Sequence, residues 1–384
     1  MKILDDLDEM IATTLAPRAA EIDATAQFPQ DVVDAAAKIG LQRVLVGQGG
    51  ALDVSRATIV HEISERLAMH SMASAVAISN GRLATYLLLK YAPVDVIERW
   101  VEPTLSGRAF GAFAITEQHA GSDVRGMTTL ATRYGDEYIL TGAKSWVGYA
   151  PNGHYAIVLA KEETTDRDAA MVALVVDTSL PGVTQAHGPQ FSGLRGMTNG
   201  TLTFDKVRVP AGSRLDVDGF GGMMDGLNLA RIDAASYACG LLRGALQASI
   251  ERAATRQAFG RPLGHLPSIQ SKIGRMAADY RAARELTRLA SESFAEGNGG
   301  DQDIISMAKM FASDAARRHT DEAVQIFGAE GIVTSSWVNR LNRDAKVTQI
   351  FDGTSEIHET MLGRRAVRAF SRGEPLESFL VHVP

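Results

Sequence analysis

The sequence predicts an α+β fold in which helices come first, a compact block of strands follows, and helices return. Three observations carry this. Apolar residues recur at helical spacing in the first and last thirds of the chain. The middle third holds short runs of β-formers bounded by Gly, Pro, Asn and Asp. No helix-length pattern separates those runs, which favours an antiparallel sheet or barrel over a wound βαβ sheet. The expected segments are an N-terminal helical domain over residues 1–112, a middle antiparallel β-domain over 113–218, and a C-terminal helical domain over 219–384.

Taken in order, Ile3, Leu4, Leu7, Met10 and Ile11 mark a first helix. Phe28-Pro29 opens a second, with Val32, Val33, Ala36 and Ile39 on one face and Gly40 as its stop. A loop spans Val46 to Asp53, and helical patterns follow from Val54 to about Leu67 and from Met72 to Tyr91. Pro93 opens a short helix that ends near Leu105. Strands are expected at Phe110–Thr116, Tyr138–Thr141, Tyr155–Ala160, Ala170–Val176 and Thr201–Val209, with a hairpin turn at Tyr134 to Tyr138. Long helices are then expected from Leu227 to Ala258, from Ser268 to Glu296, from Gln302 to Phe327, and beyond Thr354.

The chain has 384 residues, 45% hydrophobic and 22% charged, so a large core is available and a disordered chain is ruled out. The formal net charge of -6 argues against non-specific nucleic-acid binding, which needs Lys and Arg to neutralise phosphates. One cysteine, Cys239, allows no intrachain disulfide and no Cys-based metal site. Neither a signal peptide nor a transmembrane span is expected, because the N-terminus is acidic and Arg82 and Arg243 break the longest apolar stretches. A cytoplasmic protein is the expectation.

Three constellations carry chemistry. In the first, a strand runs into Thr116-Glu117-Gln118-His119-Ala120-Gly121-Ser122-Asp123. Its hydroxyls and backbone N–H groups suit a polar ligand such as a pyrophosphate, and a capped turn is the plainer reading. Downstream, Trp146 lies among small residues and is suited either to stack on a planar ring or to sit in a core. The second is Arg256 to Leu263, where two arginines close a long helix and suit phosphate or simply a solvated helix end. The third runs from Arg343 to Ile357. Asp352 follows two apolar residues there, so poor hydration raises its pKa and suits it to act as a base; capping the next helix is its alternative role.

Together these pieces resemble the acyl-CoA dehydrogenase family over nearly the whole chain. The matching stretches are Phe113-Ala-Ile-Thr-Glu-x-x-Ala-Gly-Ser-Asp123, Gly142-Ala-Lys-x-Trp146 and Phe204-Asp-Lys-Val-Arg-Val-Pro210. They continue with Arg256-x-x-Phe259-Gly-x-Pro-Leu263 plus Gln270, Gln325-x-x-Gly328-x-x-Gly331, and Arg343-Asp-Ala-Lys-x-x-x-Ile-Phe-Asp-Gly-Thr-Ser-Glu356. Six motifs in the family's order are specific where each alone is weak. The resemblance implies that family's fold, with a C-terminal four-helix-bundle-type domain, and an FAD-bound homotetramer or dimer. It implies that Thr116, Ser122, Trp146, Val147, Gly148, Thr354 and Glu356 contact FAD within one subunit. Arg256, Phe259, Gln270, Gln325, Gly328 and Gly331 would reach the FAD of a neighbouring subunit. Ser122, Asn228, Arg231, Phe351 and Gly353 would meet the acyl thioester. Asp352 would take the α-proton while the β-hydride passes to flavin N5, with the N–H of Asp352 and a ribityl hydroxyl facing the thioester oxygen.

Three departures from the family pattern stand out. Asp352 replaces the usual Glu and retracts the carboxylate by roughly 1.5 Å, one C–C bond. The family's alternative base position, on the helix before the conserved arginine, holds Ala230. Gly148 replaces a hydroxyl residue, which would open space beside the flavin, and Gln118-His119 stands where the family commonly has a Pro and an acidic or small residue, with His119 expected as exposed loop rather than catalytic. The primary expectation is α,β-dehydrogenation of an acyl thioester carried by coenzyme A or an acyl carrier protein, with an electron-transfer flavoprotein or oxygen as acceptor. The alternatives are a nitroalkane-oxidase-like oxidation of another carbon acid, and a low-activity partner subunit of a heteromeric flavoprotein.

Overall fold

The structure, a computed structural model, describes residues 2–163 and 170–375. The end of the third segment, 376–384, lies outside the described residues. The first segment folds as α1 (Lys2–Met10), a π turn (Ile11–Leu15), α2 (Ala16–Thr25), α3 (Gln30–Lys38), a 3-10 stretch (Val54–Ile59), α4 (Val60–His70), α5 (Met72–Tyr91) and α6 (Val94–Leu105). Chemistry at the ends sets these limits. Ala26 closes α2 in a left-handed conformation, and the Ser71 hydroxyl caps α5 by accepting from the Ser74 N–H at 3.3 Å.

Among the described residues, seven strands form the middle sheet: β1 (Gly111–Ala114), β2 (Leu130–Tyr134), β3 (Glu137–Gly148), β4 (Tyr155–Glu162), β5 (Met171–Asp177), β6 (Val183–His187) and β7 (Asn199–Pro210). The expected hairpin is present, with Tyr134 opposite Glu137 and Gly135 at a φ of 59° in the turn. Most pairings are antiparallel as expected, but β4 lies parallel to both β1 and β2. A parallel pair needs a long crossover. Residues 115–154, which contain the β2–β3 hairpin, supply it between β1 and β4. The polar edge strand β6 escapes the pattern search because little of it is buried.

The last segment contains α7 (Gly219–Thr255), a short ribbon of β8 (Gln257–Ala258) and β9 (Arg261–Pro262), α8 (Pro267–Ala295), α9 (Gln302–Phe327), α10 (Trp337–Thr348) and α11 (Ser355–Ser371). Helices α7 to α10 pack as a bundle, with α11 against α9. Helix α7 starts eight residues before the expected Leu227. Its glycine-rich first turns read as a loop, yet Asp218 caps them, and at Gly226 a Cβ would press on Leu87 of α5 at 3.0 Å. Tight packing, not propensity, selects glycine there. Helix α10 is unexpected, because its sequence reads first as a motif.

One apolar core runs through all three segments, from Leu7 through β4 and β5, buried along all but their last residues, to Ala345. Polar staples join the segments as well. The Arg343 guanidinium donates to the Asp23 carboxylate at 2.9 and 2.6 Å, and the Leu194 N–H donates to Asp344 at 2.7 Å. Burial pushes the Asp344 carboxyl up to about 6. The first two residues of the third motif therefore clamp α10 onto α2 and the loop before β7.

Candidate active site

The loop after β1 is held by a buried ion pair. The Lys144 ammonium on β3 donates to Glu117 at 2.9 Å and to the Ile115 carbonyl at 2.8 Å. Glu117 also accepts from the N–H groups of Thr128 and Thr129 at 2.7 and 2.9 Å. Burial pushes the Glu117 carboxyl upward, but these donors win and hold it at about 2. Thr116 is tied to β3 through Ser145, whose N–H reaches its carbonyl at 2.8 Å. Ser122 stays exposed, as does His119, matching the expectation for that histidine.

The end of β3 turns an aromatic ring outward. The register slips between Lys144 and Val147, and Trp146 sits at a φ of 60°. Its indole remains 49% exposed and stacks on Phe191 at 6.0 Å. Val147 is buried beneath. Gly148 does not open free space: a Cβ there would meet Asn80 Nδ2 at 3.2 Å and Met197 Cε at 3.3 Å. Side chains from α5 and from the loop before β7 fill the room that a larger residue would take.

The turn between α10 and α11 presents Asp352. It stands at a φ of 55°, a left-handed conformation uncommon for a residue with a side chain. Two cations hold this turn by its backbone. Arg231 Nε of α7 donates to the Asp352 carbonyl at 3.1 Å, and the buried Lys309 ammonium of α9 donates to the Gly353 carbonyl at 2.5 Å. The N–H of Asp352 has no protein acceptor among the described residues. Loss of hydration pushes the Asp352 carboxyl up to about 6, against the pull of Lys309 and Arg231 and with the help of Asp233. Burial likewise brings Lys309 down to about 8, which Asp352 opposes. His358 lies under the turn, 3.0 Å from where a Gly353 Cβ would stand. Burial and the two cations push its imidazole down to about 3, so it is neutral.

Other expected residues join this centre. Asn228 is buried between the Gly299 carbonyl at 3.0 Å and the Arg231 guanidinium at 3.2 Å. The Phe351 ring faces that of Tyr237 at 6.4 Å. Thr354 caps α11 through the Ile357 N–H at 3.4 Å, and Glu356 is exposed beside it. A second group gathers at the far end of the bundle. Arg256, Phe259 and Gln270 lie around the ribbon, and Gln325, Gly328 and Gly331 lie at the end of α9. Arg252 joins these two parts, donating to Glu330 at 2.8 Å and lying over the Phe327 ring. Phe259 is 91% exposed there. Among the described residues, no hydrogen bond or ion pair links this group to Trp146 or Asp352.

Sequence reasoning missed Lys309, His358 and the Glu117–Lys144 pair. Lys309 had a signal, being a cation on the apolar face of α9 beside Ile305 and Ala312. Cys239 is a buried core residue. No helix among the described residues is long and apolar enough to cross a membrane.

Family models for the acyl-CoA dehydrogenase N-terminal, middle and C-terminal domains match residues 1–108, 112–207 and 217–367. The chain is 32% identical over 371 residues to cyclohex-1-ene-1-carbonyl-CoA dehydrogenase of Geobacter metallireducens, covering 94% of this chain and 96% of that one. It is 33% identical over 362 residues to the mitochondrial short-chain specific acyl-CoA dehydrogenase of Homo sapiens, covering 93% and 87%. The structure of butyryl-CoA dehydrogenase from Megasphaera elsdenii superposes with a TM-score of 0.88 at 29% identity, covering 96% and 97%. With all three domain models in sequence and end-to-end likeness in both sequence and fold, the chain belongs to the acyl-CoA dehydrogenase family, whose members are FAD-dependent oxidoreductases.

Proposed function

We propose that this chain oxidises an acyl-CoA thioester to its α,β-enoyl form, with Asp352 as the base. The observation that carries the reading is the built turn around that residue. Two cations hold the carbonyls of Asp352 and Gly353, the Asp352 N–H has no acceptor among the described residues, and poor hydration lifts its carboxyl to about 6. A carboxylate held out of water near that value is a competent acceptor for the proton of a weak carbon acid. The α-proton moves to the Asp352 carboxylate, and the same residue's N–H faces the thioester oxygen as charge develops there. Arg231 and Lys309 position the turn through its backbone carbonyls.

The residues present fit FAD. A half-exposed indole aimed outward at a strand end is an unusual place for so much apolar surface, and it suits a flat ring. When bound, FAD supplies the acceptor for the β-hydride. Trp146, Val147 and Gly148 would pack beside the ring, with Thr116, Ser122, Thr354 and Glu356 as polar contacts. In a homotetramer, Arg256, exposed Phe259, Gln270, Gln325, Gly328 and Gly331 would hold the cofactor of a neighbouring subunit. Asn228 and Arg231 would border the thioester with Ser122, Phe351 and Gly353.

The test is anaerobic flavin bleaching by a panel of acyl-CoA and acyl-carrier-protein thioesters. Bleaching by the thioesters in wild type, and its loss in Asp352→Asn, is the expected result. An Asp352→Asn protein that bleached as fast as wild type would remove the base assignment. Oxygen uptake with a nitroalkane, and no bleaching by thioesters, would replace the thioester reading with carbon-acid oxidation of the nitroalkane kind.

A further inference from the structure

Between α5 and α7 lies a buried polar group that the proposed proton transfer does not use. The Arg82 guanidinium, 1% exposed, forms an ion pair with Asp233, and Asp233 accepts from the Ser64 hydroxyl at 2.6 Å. Only one arm of Arg82 is engaged: Nη2 meets Asp233 and, at 3.1 Å, Ser64. Among the described residues, its Nε and Nη1 have no hydrogen-bond partner, and the hydroxyl of Thr85, one turn further along α5, is also buried and unpaired. Buried N–H groups are rarely left without an acceptor, because each costs its lost hydration.

This group adjoins the candidate site. Asn80 of the same α5 turn approaches Gly148. Ser79 hydrogen-bonds the Tyr237 hydroxyl on α7, and the Tyr237 ring faces Phe351 beside Asp352. Ser79–Tyr237 and Arg82–Asp233 are thus adjacent rungs between the two helices, at the side of the base. These two guanidinium N–H groups and the hydroxyl are enclosed in this structure, so an acyl chain meets them only by displacing the side chains that separate them from Asp352, and unmet donors there favour an acceptor oxygen over hydrocarbon.

We infer that Arg82 selects an acyl group bearing an oxygen acceptor at its distal end, bound through Nε and Nη1. This rests on the acyl-thioester reading above and names the class of acyl chain. Asp233 already balances the charge of Arg82, so a hydroxyl, a carbonyl or a carboxylate shares the required chemistry.

The test compares butyryl-CoA and hexanoyl-CoA with their ω-hydroxy and ω-carboxy counterparts. Flavin reduction by the holoenzyme is one readout, and calorimetric binding of the corresponding enoyl-CoA products is a second that needs no turnover. Wild type should favour an oxygenated chain by about 10- to 100-fold, the worth of hydrogen bonds to a charged donor. The two oxygenated arms distinguish a neutral acceptor from an anionic one. Arg82→Met/Asp233→Leu, which removes both charges together, should lose that preference, and Arg82→Lys should keep part of it. Equal or better use of the plain chains by wild type, with an unchanged ratio in the double variant, would overturn the inference. If no thioester bleaches the flavin, the thioester reading fails by itself. The binding ratio still decides the role of Arg82: a preference for the oxygenated products supports it, and no preference overturns it.

Discussion

Replacing Asp352 by Asn should make the protein more stable, in a pH-dependent way, while removing its base. Folding raises the carboxyl from 3.8 to about 6, mainly through lost hydration. Each unit is worth about 1.4 kcal/mol, so the charged form costs the fold about 3 kcal/mol above pH 6. That value is a ceiling, because the residue keeps some solvent contact. A gain of about 1–3 kcal/mol for the neutral amide is the working expectation. The sign follows from proton binding. The folded state holds this proton more tightly than the unfolded chain does. Wild type therefore gains stability as pH falls from about 6 towards 3.8, and the advantage of Asn closes over that window.

Urea unfolding of both proteins, saturated with FAD, on either side of that window measures the gap. The variant should lead above the window and lose its lead below it. A gap independent of pH, or a more stable wild type at high pH, would refute the assigned cause of the shift. The same titration predicts a rate effect. Flavin reduction by wild type should fall on the acid side of about 6, as the base takes up its proton.

Glu117→Gln leaves the buried Lys144 without its counter-charge and should cost about 3–5 kcal/mol, seen as a lower Tm and reduced flavin content. Adding Lys144→Met should recover most of the stability. Lys309→Met removes both a donor to the Gly353 carbonyl and a charge that lowers the Asp352 carboxyl, so the acid limb of flavin reduction should move above 6. Lys309→Arg should leave that limb nearer its original place, and a pH–rate profile checks both.

The order of helices and strands was legible because each segment declares its own period. Helix α9 was readable to its ends, since Asp301 caps its start and Gly328 turns the chain at its close. The parallel pairing of β1 with β4 was not, because nothing local marks a partner that lies past a whole hairpin. The start of α7 was misread for a similar reason: glycine there answers to Leu87 across the interface, not to its own helix. At the site, Asp352 could be found by motif and by its apolar neighbours. Lys309, Arg82 and Asp233 come from three other helices and carry no shared spacing. Their only mark is that each puts a charge on an otherwise apolar face, so such a charge is best read as a question about its partner.

The charges around the base also explain how a short side chain can serve there. Arg231, Lys309 and Arg82 face Asp352 and Asp233, three cations against two carboxylates. Arg82 matters to this sum because it draws down the Asp233 carboxyl, which burial pushes up. Proton transfer from the α-carbon adds no charge to the cluster; it moves one from the Asp352 carboxylate to the thioester oxygen. The Arg231 and Lys309 contacts are made to backbone carbonyls, so they survive that transfer unchanged. The turn therefore does not depend on the charge of the side chain it presents. With the backbone anchored in this way, Asp in place of Glu shifts only the reach of the carboxylate. A substrate must come roughly 1.5 Å closer to meet it, and a polar hold on the far end of the acyl chain is one physical means of setting that depth.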